Sequence, residues 1–294
     1  MIFDPKLLIA GLCLFAITFA LALIQKQLRQ RRTKTVLAPR PQAFAGARLL
    51  GDVDAGRSRS GSGAKTIAII HNFDNPDSDH NHRNYLSVHE AFEVLAQIRS
   101  VDKNTPIDIV LHTPGGSAFA CELIASALKE RPNTTAYVPY CAMSAGTVIA
   151  LATEKVVMGR HACLGPIDLQ FDIFPAESFI RLLKEKPIKD VSDLYVLLGY
   201  LAEKDLKSAK QRACELLNRK HFGNDDACQL TNFLISGDLP HSEQIDRDHA
   251  AELGVNVAEE DCPDEIYRMV EARLELLKSA DGSGGAGPDM KLPR

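Results

Sequence analysis

Tryptophan is absent from the 294 residues, and only 6 tyrosines and 12 phenylalanines are present. Without aromatic platforms, stacking on unpaired bases is excluded as a main mode of recognition. A basic excess is also missing. The net charge is -4, with acids and bases mixed along the chain, so no nucleic-acid partner is expected. No C-x-x-C spacing occurs among the seven cysteines (Cys13, Cys121, Cys141, Cys163, Cys214, Cys228 and Cys262). Most sit in apolar patterns and read as small buried hydrophobes of a reducing compartment, not as a disulfide scaffold or zinc site. The glycine turn TPGGSAFA has neither the GK[ST] ending of a P-loop nor the G-x-G-x-x-G of a dinucleotide fold. A P-loop and a dinucleotide fingerprint are therefore both missing there, and no cofactor is expected. No internal repeat is visible.

What is present begins with a run of roughly 18 uncharged residues, Leu7 to Ile24, just enough to span a bilayer core as a helix. Lys26, Arg29, Arg31, Arg32 and Lys34 follow it, whereas only Asp4 and Lys6 precede it. This asymmetry predicts a single-pass anchor in the cell's inner membrane, lipid-embedded at residues 1–30, with the rest of the chain cytoplasmic. Ala20 and Ala22 form a weak version of a signal-peptidase site, so a cleaved leader is the alternative. Residues 31–64, rich in Gly, Ser and Pro, read as a flexible linker, and residues 280–294 as a disordered tail. The folded unit is expected over 65–279. Its hydrophobic content suffices for one large domain or two small ones.

Within that unit, short β-rich runs alternate with helical patterns. TIAIIHNF, PIDIVLHT, TTAYVPY and KVVMGR read as strands; VHEAFEVLAQIRSV, FACELIASALKE and GTVIALAT read as helices. The alternation predicts an α/β fold with a mostly parallel sheet. From Ala176 to Asn218 the pattern is mainly helical, and DRDHAAELGVNV reads as a helix, a stop at Gly254 and a short edge strand.

Two turns fall at strand ends that run straight into helices, about 28 residues apart: Pro114-Gly115-Gly116 and Ser144-Ala145-Gly146. Sites in parallel α/β sheets collect at carboxyl ends of strands. The glycines can present N–H groups with no Cβ in the way, and a helix N-terminus adds unpaired donors. Ser144, with the N–H of Ala145 beside it, suits acyl transfer with a backbone oxyanion hole. The structural alternatives are an ordinary turn at Gly115-Gly116 and an N-cap at Ser144.

HTPGGSAF and AMSAGT resemble the strand end and nucleophile turn of Clp-type peptidases and signal peptide peptidase A, in the Clp/crotonase superfamily. PIDIVLHTPGG, VPYCAMSAGTVIALATEKVVMGRHACLGPID and LISGDLPHSEQI…AAELGVNV resemble, more narrowly, the serine dehydrogenase proteinase family. The resemblance implies a crotonase-like spiral of ββα units. It implies Ser144 as nucleophile and Gly116 and Ala145 as oxyanion donors; independently of it, the small residues of the turns, Gly115 and Gly146 among them, are read as substrate-binding positions that let a substrate backbone approach. Protein or peptide substrates and a homo-oligomer are also implied. Clp-type enzymes carry a histidine after the nucleophile helix, but here the matching stretch holds Ile167 and Asp168, and Asp168 is left as an orienting carboxylate or a loop cap. Signal peptide peptidases use a downstream lysine, which implies a Ser-Lys pair. Lys184, Lys186 and Lys189 fall in that region; Lys186, before a proline, and Lys189, before an aspartate, each match part of a related pattern. His241 is the third candidate base, in a segment resembling the closer family. A crotonase-type acyl-CoA enzyme and an inactive membrane scaffold are the rival functions. His71, His80, His82 and His89 lie among acids but lack metal-ligand spacing, so no metal is expected.

Overall fold

The computed structural model describes residues 63–72, 84–171, 174–217, 221 and 227–282. The apolar run at Leu7–Ile24, the linker to residue 62 and the tail beyond 282 lie outside the described residues. Among the described residues, no helix is long and apolar enough to cross a membrane. All of them fall within the unit Asp54–Arg294.

A parallel sheet forms from β1 (Lys65–Ile70), β2 (Ile107–His112), β3 (Thr134–Val138) and β5 (Lys155–Met158), in that spatial order. Its register aligns Ile67, Ile109, Ala136 and Val156 across the four strands, and all four are buried. Parallel strands need crossovers, and here helices supply them: α1 (Val88–Arg99), α2 (Ala118–Lys129) and α3 (Ala145–Ala152). Helix α3 is buried along its entire length. Its composition explains this, since AGTVIALA contains no charge and mostly small side chains. The opposite face of the sheet is covered in part by α8 (Asp264–Gly282), whose Val270 packs against Ile70 and Val110.

A second sheet joins β4 (Cys141–Ala142), β6 (Cys163–Leu164) and β9 (Ile245–Asp246). The hairpin β7 (Gln170–Phe171) and β8 (Phe174–Pro175) leads into α4 (Ala176–Glu185) and the long α5 (Asp193–Leu216). Helices α6 (Ala227–Leu234) and α7 (Arg247–Glu252) complete the order.

Three expectations need correction. The TTAYVPY strand stops at Val138, and the chain resumes in the other sheet at Cys141; Pro139 cannot donate to a ladder. The stretch from Ala176 is mainly helical as expected, with one break after Glu185 at Pro187 and a single 3-10 turn, Ile188–Asp190. The edge strand after Gly254 is no more than an isolated bridge between Val257 and Val156. Cys214 is disulfide-bonded, although Cys121, Cys141, Cys163 and Cys262 are free thiols. An apolar pattern records burial and carries no information on whether a second sulfur lies within reach.

Candidate active site

Four serines precede helices, and they behave differently; Ser192, before α5, makes no side-chain cap bond but keeps an ordinary extended backbone at φ -66°, ψ 149°. Ser87 Oγ accepts from Glu90 N–H at 3.2 Å, and Ser117 Oγ accepts from Ala120 N–H at 3.3 Å. Both are ordinary N-caps. Ser144, before α3, makes no side-chain cap bond, and its backbone sits at φ 50°, ψ -115°. A positive φ at a residue with a Cβ is strained, at a cost of about 1–3 kcal/mol. The surroundings enforce it: Gly146 N–H donates to Met143 O at 2.8 Å, and Met143 N–H donates to Thr113 O at 2.9 Å. The N-cap alternative for Ser144 therefore does not hold, and the hydroxyl is left facing a cleft.

That cleft, of about 360 Å³, lies between the two turns and α5. Gly116, Ser144, Ala145, Asp168 and His241 all line it, beside an apolar wall that includes Val148, Ile167, Leu169 and Leu216. Gly115 presses against the serine turn. A Cβ at Gly115 would lie 2.8 Å from Ser144 Cβ and 2.9 Å from Met143 O, and one at Gly116 would lie 2.5 Å from Leu86 N. Both glycines have φ in the range L side chains rarely adopt, 104° and 146°.

Peptide planarity then fixes a direction. Gly115 O accepts from Leu86 N–H at 2.7 Å, so the Gly116 N–H, on the far side of the same trans peptide, points away from Leu86. Among the described residues, neither Gly116 N–H nor Ala145 N–H has an acceptor within the chain. Of the three other N–H groups of the turns, Gly115 N–H donates to Thr113 Oγ1 at 3.1 Å and Gly146 N–H to Met143 O, whereas Ser144 N–H also has no acceptor among the described residues. Gly146 is required for packing, since a Cβ there would lie 2.6 Å from Thr113 Cγ2.

Asp168 and His241 form the polar end of the cleft. His241 Nδ1 lies 3.6 Å from Asp168 Oδ2; the carboxylate is largely buried and the imidazole half-exposed. Gln170 Nε2 donates to the same oxygen at 3.3 Å. Lys186 and Lys189 stand elsewhere. Both are exposed at the tip between α4 and α5, with Lys184 on the last turn of α4, and none of the three lines the cleft. Cys121, under the cleft, donates its thiol to Ala145 O at 3.3 Å, and burial, with Glu122 nearby, pushes its pKa up to about 12. It stays protonated and does not compete as a nucleophile.

Of the histidines weighed as metal ligands, His71 is buried against Thr113 and Glu90, and His89 pairs with Glu93 on the surface of α1. His80 and His82 lie outside the described residues. Leu86 and Thr113 escaped the sequence reading. Only Thr113 left a signal, as a hydroxyl at the end of an otherwise apolar strand and directly before Pro-Gly-Gly.

The family model for ClpP-like SDH-type serine proteinases matches residues 62–281. The chain belongs to this family. Its α/β architecture is accordingly the ClpP-like one, and both glycine-bearing turns lie within the matched region. Two uncharacterized proteins of Methanocaldococcus jannaschii are relatives of this ClpP-like member. MJ0137 is 36% identical over 188 residues, 64% of this chain and 65% of that protein. MJ1495 is 35% identical over 188 residues, 64% of this chain and 63% of that protein. The chain thus spans a little under two thirds of each relative's length. Among solved structures, the membrane-bound stomatin-specific protease 1510-N matches at 19% identity and TM-score 0.41, covering 60% of this chain and 76% of that one. ClpP1 from Listeria monocytogenes matches at 16% identity and TM-score 0.42, covering 68% and 94%.

Proposed function

We propose that the chain is a serine peptidase in which Ser144 is the nucleophile and His241, oriented by Asp168, is the base. Ser144 Oγ attacks a peptide carbonyl carbon while its proton passes to His241 Nε2. The carbonyl oxygen, now negative, is held by the N–H groups of Gly116 and Ala145. His241 then returns the proton to the departing amine as the C–N bond breaks. Water, deprotonated by the same imidazole, releases the acyl group from Ser144. Asp168 keeps Nδ1 as the protonated nitrogen, so that Nε2 is free to accept. The imidazole–carboxylate gap of 3.6 Å is long for a hydrogen bond, and the proposed mechanism requires it to shorten once substrate is bound.

One observation carries this assignment: a strained, uncapped serine shares a cleft with two unpaired N–H groups and an imidazole–carboxylate pair. The sequence motifs favour a lysine as base, but exposure of Lys186 and Lys189 outside the cleft favours His241. The test is incubation of the full-length chain in detergent with casein, an unfolded protein. Release of acid-soluble peptides is expected. Turnover of crotonyl-CoA with no peptide release would overturn peptide hydrolysis in favour of the acyl-CoA alternative.

The anchor and the oligomer belong to the same proposal. The uncharged run Leu7–Ile24 with its basic flank supports attachment to the inner membrane, the folded unit being cytoplasmic. Helix α5 supports self-association. Its Gly199, Ala202 and Leu206 are buried, yet Leu194, Leu197 and Leu201 form a second apolar stripe, 62%, 67% and 46% exposed. Antiparallel pairing with a second copy would bring Asp193 of one copy to Lys204 of the other while covering the three leucines. Membranes should retain the full chain through a carbonate wash, and detergent should release it at a multiple of 32.2 kDa. A carbonate-soluble monomer would contradict both.

A further inference from the structure

Thr113, one residue past β2, joins the two turns of the site. Its N–H donates to Cys141 O at 3.1 Å and its C=O accepts from Met143 N–H at 2.9 Å. Its methyl group packs on Gly146. Its hydroxyl accepts the Gly115 N–H at 3.1 Å and lies 2.7 Å from His71 Nδ1. His71, 2% exposed, reaches Glu90 Oε2 through Nε2 at 2.9 Å. One hydrogen arrangement satisfies every group with a neutral imidazole. Gly115 N–H donates to Thr113 Oγ1, Thr113 O–H donates to His71 Nδ1, and His71 Nε2–H donates to Glu90. Bonds aligned head to tail in this way strengthen one another in a buried setting. The mechanism above uses neither His71 nor Glu90, and neither residue lines the cleft.

We propose that Glu90, His71 and Thr113 form a buried positioning relay that fixes the Pro114–Gly115 peptide and thereby aims the Gly116 N–H at the oxygen of the carbonyl under attack. The proposal rests on the serine-peptidase assignment for Ser144. Two clamps bracket Gly115: Leu86 N–H holds its carbonyl and Thr113 Oγ1 holds its N–H. Releasing the second lets a glycine of wide conformational range swing, and with it the donor one peptide later. Donor alignment matters in the transition state more than in the ground state, so the loss falls on the chemical step and not on binding.

The test measures phosphonylation of the full-length chain in detergent by a fluorophosphonate-rhodamine probe, separating kinact from KI, with thermal midpoints recorded for each variant. Thr113→Val keeps the methyl against Gly146 and removes the hydroxyl; kinact is expected to fall by about tenfold to a hundredfold with KI within about twofold. Thr113→Ser keeps the hydroxyl and removes the methyl; it is expected to retain at least about a third of kinact. At His71 the expected order runs against size. His71→Asn presents an amide where Nδ1 was, still meets Thr113, and stays within about threefold of wild type. His71→Gln presents its amide where Nε2 was, meets Glu90 but not Thr113, and falls as Thr113→Val does. The His71 pair answers the question even if Thr113→Val does not fold. A role in packing alone predicts the opposite: kinact would follow the thermal midpoint, and the two cavity-forming variants, Thr113→Ser and His71→Asn, would be the slower ones. That result, or wild-type kinact in Thr113→Val and His71→Gln, would overturn the relay and leave the nucleophile intact. A wild-type chain that takes no label at all would remove both.

Discussion

Replacing Ser144 by alanine will lower peptide hydrolysis by at least about a thousandfold and leave the stability of the fold nearly unchanged. The two halves of that statement come from different observations. The rate loss follows from removing the attacking oxygen; what survives is only the polarisation supplied by backbone donors. The unchanged stability follows from the absence of any cap bond from Ser144 Oγ. An N-capping serine, by contrast, costs about 0.5–2 kcal/mol when replaced by alanine. Ser144→Gly separates them further. At φ 50° glycine relieves strain that serine and alanine both bear, so this variant is expected to be inactive yet more stable than wild type by about 1 kcal/mol. Urea denaturation followed by circular dichroism reads the difference. A clear stability loss in Ser144→Ala would return the residue to an ordinary capping role.

Replacing His241 by alanine is expected to lower hydrolysis by about a hundredfold to ten-thousandfold, whereas Lys186→Ala and Lys189→Ala change it by less than about twofold. The contrast follows from placement. His241 comes from the loop before β9, and it reaches the cleft because β9 pairs antiparallel with β6, the strand just before Asp168. One pairing thus carries both members of the imidazole–carboxylate pair to the same wall. The lysines sit on the 3-10 turn and helix end that Pro187 interrupts, exposed to solvent. Initial rates on casein at matched protein concentration decide between them. A lysine variant that loses activity while His241→Ala keeps it would assign the base to the other group.

The parts of the site that could be read from the residues are those encoded locally. Pro114-Gly115-Gly116 and Ser144-Ala145-Gly146 each combine a strand end, small residues and a helix start within a few positions. The strands and helices around them follow from alternation of β-branched runs with amphipathic ones. What could not be read depends on contacts between distant segments. Asp168 and His241 are 73 residues apart in sequence, and nothing in either local stretch encodes the β6–β9 pairing that joins them. Leu86 is likewise invisible: it clamps Gly115 only because residues 84–86 run alongside the turn and form a bridge at Gly116. The lysine stretch near residue 186 carried only a local resemblance, and Pro187 with a 3-10 turn carries that segment to the exposed tip between α4 and α5. His71 drew attention for its neighbours in sequence, whereas its partners are Thr113, from the next strand, and Glu90, from the helix between.

The most direct measurement is peptide mapping by mass spectrometry after the full-length chain has reacted with a fluorophosphonate. One adduct per chain is expected, on the peptide that contains Ser144, and prior blocking of that residue should abolish casein hydrolysis in proportion. An adduct on another residue, or full hydrolysis with Ser144 completely modified, would contradict the assignment of Ser144 as the nucleophile.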